Sequence, residues 1–407
     1  MPKRHPFSWN LHALTQCLLV LSITVFSSKT SIWTRWSIFL PIAVTSCYLV
    51  CYTTTGDVTV DQGLGTAILI QLMIAVDYIL ITDVQRDIYP KDQPPRKKGA
   101  DADIPLMKRF RRAISLYTTP RGIGWSFEPR TLPKPSTKPR FVFVSSRITR
   151  ALASALTGTF ASVMINSNPA LSGITLSVRD MGWFYRTTGI FAFALNAIAQ
   201  INTIHCVLAA FCVGVGISGP EEWPDLFGSP FDAYSVQRFW GRTWHQVLRR
   251  PLKSCTIFVV TKILHRPRDK QYTPLVFLNT VFLISGLVHV GGEYMMLGRL
   301  GLGAFRFFLV QGLAVSVETI VSNVFSLSGS RLASPRKAAL STPKLWMRIV
   351  GYVWVLLWFW WSLPFMVDPG ILAGAYGPHR GLTFERLSKL AVNVYHRLTT
   401  YVWTSTL

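Results

Sequence analysis

Apolar residues in this chain gather into long runs instead of alternating with polar ones. Runs near the 17–25 residues that cross a bilayer fall at about 11–28, 36–52, 62–82, 188–216, 273–297, 303–325 and 347–367. A weaker, small-residue-rich candidate spans about 148–165. The stretch LKSCTIFVVTKIL at 252–264 is too short to cross and reads as interfacial or re-entrant. Lys3 and Arg4 before an apolar run at 11–26 also suit a cleaved signal peptide, but further spans follow, so the run reads as a first anchor. The pattern predicts an all-α fold, a polytopic transmembrane helical bundle of about seven to nine spans. It divides the chain into N-terminal transmembrane helices (1–82), a basic loop (83–140), a second group of transmembrane helices (141–218), and a region from 219 to 407 that ends in C-terminal helices.

Charge orients these spans. Residues 53–61, TTTGDVTVD, carry no Lys or Arg and are expected to face the lumen. The loop at 83–140 is Pro-rich and holds RKK at 96–98 and KRFRR at 108–112, which places it in the cytosol. Arg238, Arg242, Arg249, Arg250, Lys253, Arg266 and Arg268 place 219–272 there too, as Arg331, Arg336, Lys337 and Lys344 do for the loop near 330–344. An even number of crossings must then separate 83–140 from 219–272, which favours counting the weak span at 148–165. Lys3 and Arg4 fall on the lumenal side, against the usual bias.

Composition agrees with a membrane protein. Half of the 407 residues are hydrophobic and 15% are charged, where soluble domains carry about 25%, and the mean hydropathy is +0.32. The net charge of +23 lies mostly in loops beside spans, where anionic membrane lipid is the ordinary partner; a smaller share suits an anionic cosubstrate. No basic stretch interleaved with aromatics forms a soluble module, so nucleic acid is not a partner. The six cysteines form no CxxC and lie almost entirely in apolar segments as small hydrophobes.

Two stretches carry candidate chemistry. WPDLFGSPFDAYSVQRFWGRTWHQVLRRP at 223–251 places Trp223, Phe227, Phe239, Trp240 and Trp244 among Arg238, Arg242, Arg249 and Arg250. Interfacial anchoring alone accounts equally well for that mixture. SGLVHVGGEY at 285–294 sets His289 about two-thirds of the way along a span, with Ser285 four residues before and Glu293 four after. All three share one helix face. A central intramembrane charge costs roughly 2.5–3.5 kcal/mol on insertion scales. A histidine bonded to a neighbouring helix is the plain structural alternative to a functional one. Gly291 and Gly292 open the backbone to close approach by a ligand or another helix.

WPDLFGSP, SVQRFWGRTWHQ and SGLVHVGGE, in that order, resemble the wax synthase-like branch of the membrane-bound O-acyltransferases (MBOAT). The detailed match covers roughly 220–295. The resemblance implies an intramembrane reaction chamber and acyl transfer from acyl-CoA to a hydroxyl. His289 corresponds to the family's catalytic histidine, and Trp244 and His245 to the end of its second box, where the wider superfamily often has asparagine. At about 400 residues the chain resembles the acetyltransferases of fungal terpenoid and meroterpenoid pathways. Acetyl-CoA is then the expected cosubstrate, with no tightly bound cofactor and no metal, and a lipophilic alcohol is the acceptor. The expected location is the membrane of the endoplasmic reticulum.

The implied chemistry is physically sound. A thioester has a good leaving group, a thiol of pKa near 8.5, so the harder task is to activate and align the alcohol. His289 suits a general base in a chamber that excludes water. Glu293 and Ser285 are candidates to orient its imidazole; His245, Trp244 and backbone amides are candidates for the oxyanion. Arg238, Arg242, Arg249 and Arg250, with Trp240 and Ser285, are expected to bind substrate, the arginines through CoA phosphates. Asp77 reads as an intramembrane acid paired with a base in the bundle. The tail after Asp368, with RLSKLAVNVYHRL, reads as a surface-lying helix. A long-chain wax or sterol-ester synthase is the rival within the enzyme class, and a polytopic transporter the rival outside it.

Overall fold

The computed structural model describes residues 4–27, 29–93, 104–171, 177–265, 273–329 and 345–376. Within them the chain is nearly all helical. The helices are α1 (Trp9–Val25), α2 (Ile32–Tyr52), α3 (Val58–Ala75), α4 (Leu106–Thr118), α5 (Arg140–Ser167), α6 (Trp183–Gly214), α7 (Arg249–Phe258), α8 (Thr273–Leu297), α9 (Gly303–Gly329), α10 (Leu345–Ser362) and α11 (Pro364–Leu372). Seven stretches of helix are long and apolar enough to cross a membrane, and α1 is a shorter apolar helix. Every apolar run of the sequence is therefore a helix, including the weak candidate, which extends over 28 residues as α5. The short stretch at 252–264 is α7 continued by a π-helical turn over Val259–Ile263. RKK at 96–98, Arg266, Arg268, the loop at 331–344 and the tail from 377 lie outside the described residues.

The chain forms two compact units. The smaller comprises, among the described residues, 140–171, 177–217 and 370–376. In it α5 and α6 pack along small residues: Gly158 faces the Cβ of Ala199, and Asn202 Nδ2 donates to Ser154 Oγ at 2.7 Å. This packing explains why the weak span is rich in Gly, Ala and Ser. Small side chains let two apolar helices meet closely where the hydrophobic effect supplies no drive.

The larger unit, residues 1–139 and 218–369, holds the candidate chemistry. Serine and aspartate caps open its first helices: Ser8, Ser31 and Asp57 accept from backbone amides of the first turns of α1, α2 and α3. Buried Asp61 ties down the preceding turn, accepting from Thr54 Oγ1, Thr55 Oγ1 and the Thr55 amide. At the same end, β1 (His5–Pro6) pairs in parallel with β2 (Thr53–Thr54). Arg4 donates to the carbonyl of Met295 at 2.5 Å, in the last turn of α8, where cations favour the helix dipole. Its charge thus complements a helix end.

The central packing is that of α3 against α8. A Cβ on Gly65 would stand 2.5 Å from the Gly291 carbonyl, and one on Gly291 would stand 2.5 Å from the Leu69 side chain. A Cβ on Gly292 would collide with the Gln62 carbonyl and with Thr66 Oγ1. The glycine pair beside His289 thus admits a helix. Gly291→Ala meets chiefly a movable leucine, with the Gly65 carbonyl at 3.0 Å, whereas Gly292→Ala meets backbone at 2.3 Å. Gly292→Ala is therefore expected to lower stability by roughly 1–3 kcal/mol, with Gly291→Ala costing distinctly less. Thermal unfolding of the two variants in detergent measures the difference; equal midpoints contradict it.

Candidate active site

His289 projects from α8 with its Nδ1 2.7 Å from the carbonyl oxygen of Ser285. A carbonyl only accepts, so Nδ1 carries the proton and the neutral ring keeps its lone pair on Nε2. The local sequence builds this: the i−4 carbonyl of the same helix lies within reach of an imidazole leaning toward the N-terminus. Phe308 of α9 packs on the ring at 4.3 Å between centroids. A cavity of about 20 Å³ adjoins it, bounded by Gln62, Thr66, Glu293 and Ala304, large enough for one hydroxyl or water.

Glu293 does not orient this imidazole. Its carboxylate accepts from the amides of Gly303 at 3.0 Å and Ala304 at 2.7 Å, the exposed donors at the start of α9. A carboxylate is favoured there by both hydrogen bonding and the helix dipole. The shared helix face was correct, but the partner is a helix N-terminus. Ser285 is buried and holds the histidine through its backbone carbonyl.

The loop at 223–248 is knitted internally and then fastened to the bundle. The Gly228 amide donates to the Thr243 carbonyl at 2.9 Å, and a Cβ on Gly228 would strike the Arg242 carbonyl, so the first sequence box needs glycine where it meets the second. Arg121, 5% exposed, donates to the carbonyls of Pro224 and Asp225 at 2.8 Å. Glu318 of α9 accepts from the amides of Val236 and Gln237 at 2.7 and 2.8 Å and from Trp354 Nε1 at 2.8 Å. A π-helical turn over Phe239–Thr243 follows. It sets Trp240 against Phe308, 5.8 Å between centroids, with its Nε1 toward Gln311. Gln246 Nε2 locks the turn through the carbonyls of Trp240 and Trp244.

This scaffold brings His245 beside Phe227 and Trp244 and into the electrostatic reach of His289. Burial, reinforced by the nearby His289 and Arg121, pushes the His245 imidazole down to about 4, so it is neutral near pH 7. Its Nδ1 is buried without a hydrogen-bond partner among the described residues. The two histidines, far apart in sequence, form one cluster with Trp240, Trp244 and Phe308.

The four arginines divide. Arg238 pairs with Asp232 at 2.7 Å and stacks over Tyr234, and Arg242 lies 4.0 Å from the same carboxylate with half its side chain exposed. Exposed Arg249 donates to Thr131 Oγ1 and Gln246 Oε1. Arg250 instead faces inward to buried Asp77 at 3.3 Å and stacks on Tyr78 and Phe127. Its assignment to a phosphate is corrected by that pairing, which also supplies the base expected for Asp77. Ser254 and Thr82 donate to the other Asp77 oxygen at 2.6 Å each. Sequence reasoning missed Arg121, whose basic loop carries no signal for burial. It also missed Glu318, an intramembrane acid that the rule applied to Asp77 would have found.

Comparison with known proteins agrees with this arrangement. Residues 223–310, which contain both histidines, match the membrane bound O-acyl transferase family. The acetyltransferase ple2 of Rhodocybe pseudopiperita is 31% identical over 366 residues, covering 88% of this chain and 90% of that protein. The acetyltransferase eriL of Hericium erinaceus is 30% identical over 346 residues, covering 84% and 86%. The O-mevalon transferase macI of Penicillium terrestre is 28% identical over 309 residues, covering 70% and 68%.

Two outcomes follow from this geometry. Arg250→Met strands a buried carboxylate and is expected to cost about 3–5 kcal/mol, of which Asp77→Asn added to it restores a part; a double-mutant cycle on thermal stability reads the coupling. The unfolded His245 imidazole, near 6.5, takes up a proton that the folded one, near 4, refuses. Stability is therefore full above pH 6.5 and falls as the pH drops toward 4. His245→Asn is expected to flatten that decline in the unfolding midpoint; an unchanged slope contradicts the assignment.

Proposed function

This chain belongs to the membrane bound O-acyl transferase family, and we propose that it transfers acetyl from acetyl-CoA to a hydroxyl of a lipophilic secondary metabolite of terpenoid or meroterpenoid kind, in the endoplasmic reticulum membrane. It is a multi-pass membrane acyltransferase; the acetyl donor rests on the two relatives named as acetyltransferases that align along most of the chain, and the metabolite class on the resemblance carried by the two sequence boxes and His289. The observation that carries the mechanism is the His289 imidazole, its Nδ1–H held by the Ser285 carbonyl and its Nε2 left as base.

In this reading Nε2 of His289 takes the proton of the acceptor hydroxyl as its oxygen attacks the thioester carbonyl carbon. The C=O π electrons move onto oxygen, and the tetrahedral oxyanion accepts a hydrogen bond from neutral His245, whose buried Nδ1 is otherwise unpartnered among the described residues. The Trp244 indole is the second candidate donor. As the carbonyl re-forms, the C–S bond breaks and the proton on His289 leaves with the CoA sulfur, so ester and thiol are produced without net proton change. Phe308, Trp240 and Trp244 keep the site dry, which suppresses thioester hydrolysis. Arg242 and Arg249, exposed and fork-shaped, are the proposed contacts for CoA phosphate, with Arg238 partly committed to Asp232.

Microsomes containing wild-type protein, given labelled acetyl-CoA or palmitoyl-CoA and a panel of terpenoid, sterol and fatty alcohols, are expected to pass label from acetyl-CoA to a terpenoid alcohol. His289→Ala at matched expression should lower that transfer by about 10²–10⁴-fold, the usual worth of a general base. Preference for palmitoyl-CoA would replace acetyl with a long-chain donor. Full activity of His289→Ala would remove the histidine from the chemistry.

A further inference from the structure

A cavity of about 520 Å³ lies in the larger unit between α1, α3, α4 and the segment that follows His245. Its volume falls in the range of pockets that enclose small organic ligands. Along α3 and the π-helical turn that continues it over Val76–Ile81, it runs from Ala67 to Tyr78, roughly 16 Å at 1.5 Å per residue. Most of its wall is apolar, with Ile70, Ile74, Leu116, Val247 and Leu248 among its lining.

One end differs. Tyr117 donates to Gln16 Oε1, Gln16 Nε2 contacts Gln71 Oε1 and His12 Nε2, and Gln71 Nε2 donates to Thr15 Oγ1. His12 Nδ1 is buried with no hydrogen-bond partner among the described residues. The other groups of this amide–phenol–imidazole array bond to one another, but the His12 nitrogen left alone beside a hydrophobic chamber is costly unless something polar meets it. The array carries no net charge, and Asp77, which also lines the cavity, is paired with Arg250, so the site suits a neutral oxygen function and not a phosphate or carboxylate.

The cavity also stands beside the chemistry. Val247 and Leu248 line it and follow His245 by two and three residues. Leu248 packs in one buried cluster with Val288, the neighbour of His289. Through that cluster the cavity's Leu248 is linked to the helix turn that carries His289.

We propose that this cavity is the acceptor pocket, holding a neutral isoprenoid or polycyclic alcohol whose second oxygen function is read by Gln16, Gln71, Tyr117 and His12 while its reacting hydroxyl points toward Leu248 and His289. The inference rests on the acyltransferase reading and adds to it the place and chemical class of the acceptor. Gln71 and Tyr117 are specificity-determining residues here, not catalytic ones.

The test combines binding and turnover in membranes. A photoactivatable diazirine derivative of farnesol is expected to label peptides covering 67–78 and 112–120 in wild type, with labelling lowered several-fold in Ile74→Trp, which fills the chamber. Among matched alcohols with and without a second oxygen, wild type should favour the oxygenated member about tenfold in kcat/KM, the worth of one or two hydrogen bonds. Gln71→Leu and Tyr117→Phe should erase that preference while the KM for acetyl-CoA stays unchanged, which also shows that they fold. Transfer by wild type with label outside these peptides, or a rise in the donor KM instead of the acceptor KM, overturns the pocket and leaves the acyltransferase standing. Label in the cavity with no transfer to any alcohol overturns the acyltransferase reading itself, and the acceptor assignment with it.

Discussion

In hydrocarbon a polar group can bond only to protein, and that constraint organises this molecule. Several polar side chains within the larger unit's helices are placed where a backbone group or an opposite charge would otherwise be left alone. Glu293 closes the start of α9, Glu318 closes the short helical turn that opens the second box, and Asp77 neutralises Arg250. Gln311 collects the indoles of Trp240 and Trp358 and donates to Ser362. His289 obeys the same rule on one nitrogen only. Satisfying Nδ1 with the Ser285 carbonyl is what leaves Nε2 basic, so the structural need and the proposed catalytic role are met by one hydrogen bond.

The loop at 223–248 shows how a soluble-looking sequence is made to serve a membrane site. Its glycine and its π-helical turn shape it, Arg121 anchors its start and Glu318 its middle, and its Trp240 seals against α8, α9 and α10. The result places a neutral histidine near a second histidine without either sitting on the same helix. Val247 and Leu248 of the same segment line the cavity proposed for the acceptor, within three residues of His245.

Much of this was legible in the sequence. The spans followed from hydropathy, and the weak one from the parity of basic loops, because charge placement carries topological information that local hydropathy lacks. His289 and the two boxes stood out because polar residues in apolar runs and ordered motifs are local signals. Partners were less legible. The i+4 spacing put Glu293 on the face of His289 but said nothing of the amides at 303 and 304, which reach it only through the turn after α8. Arg250 looked like one more loop cation until tertiary packing set it against Asp77. The cavity was invisible because it is lined by four segments distant in sequence.

The central claim is that His289 and His245 act as one catalytic unit. Steady-state kcat/KM for the acetylated alcohol in His245→Ala, His289→Ala and the double variant tests it most directly. Groups that act together lose their effect together, so the double variant should be no slower than the worse single variant, within about threefold. Losses that multiply across the two positions would mean that the histidines work independently, and would contradict the account.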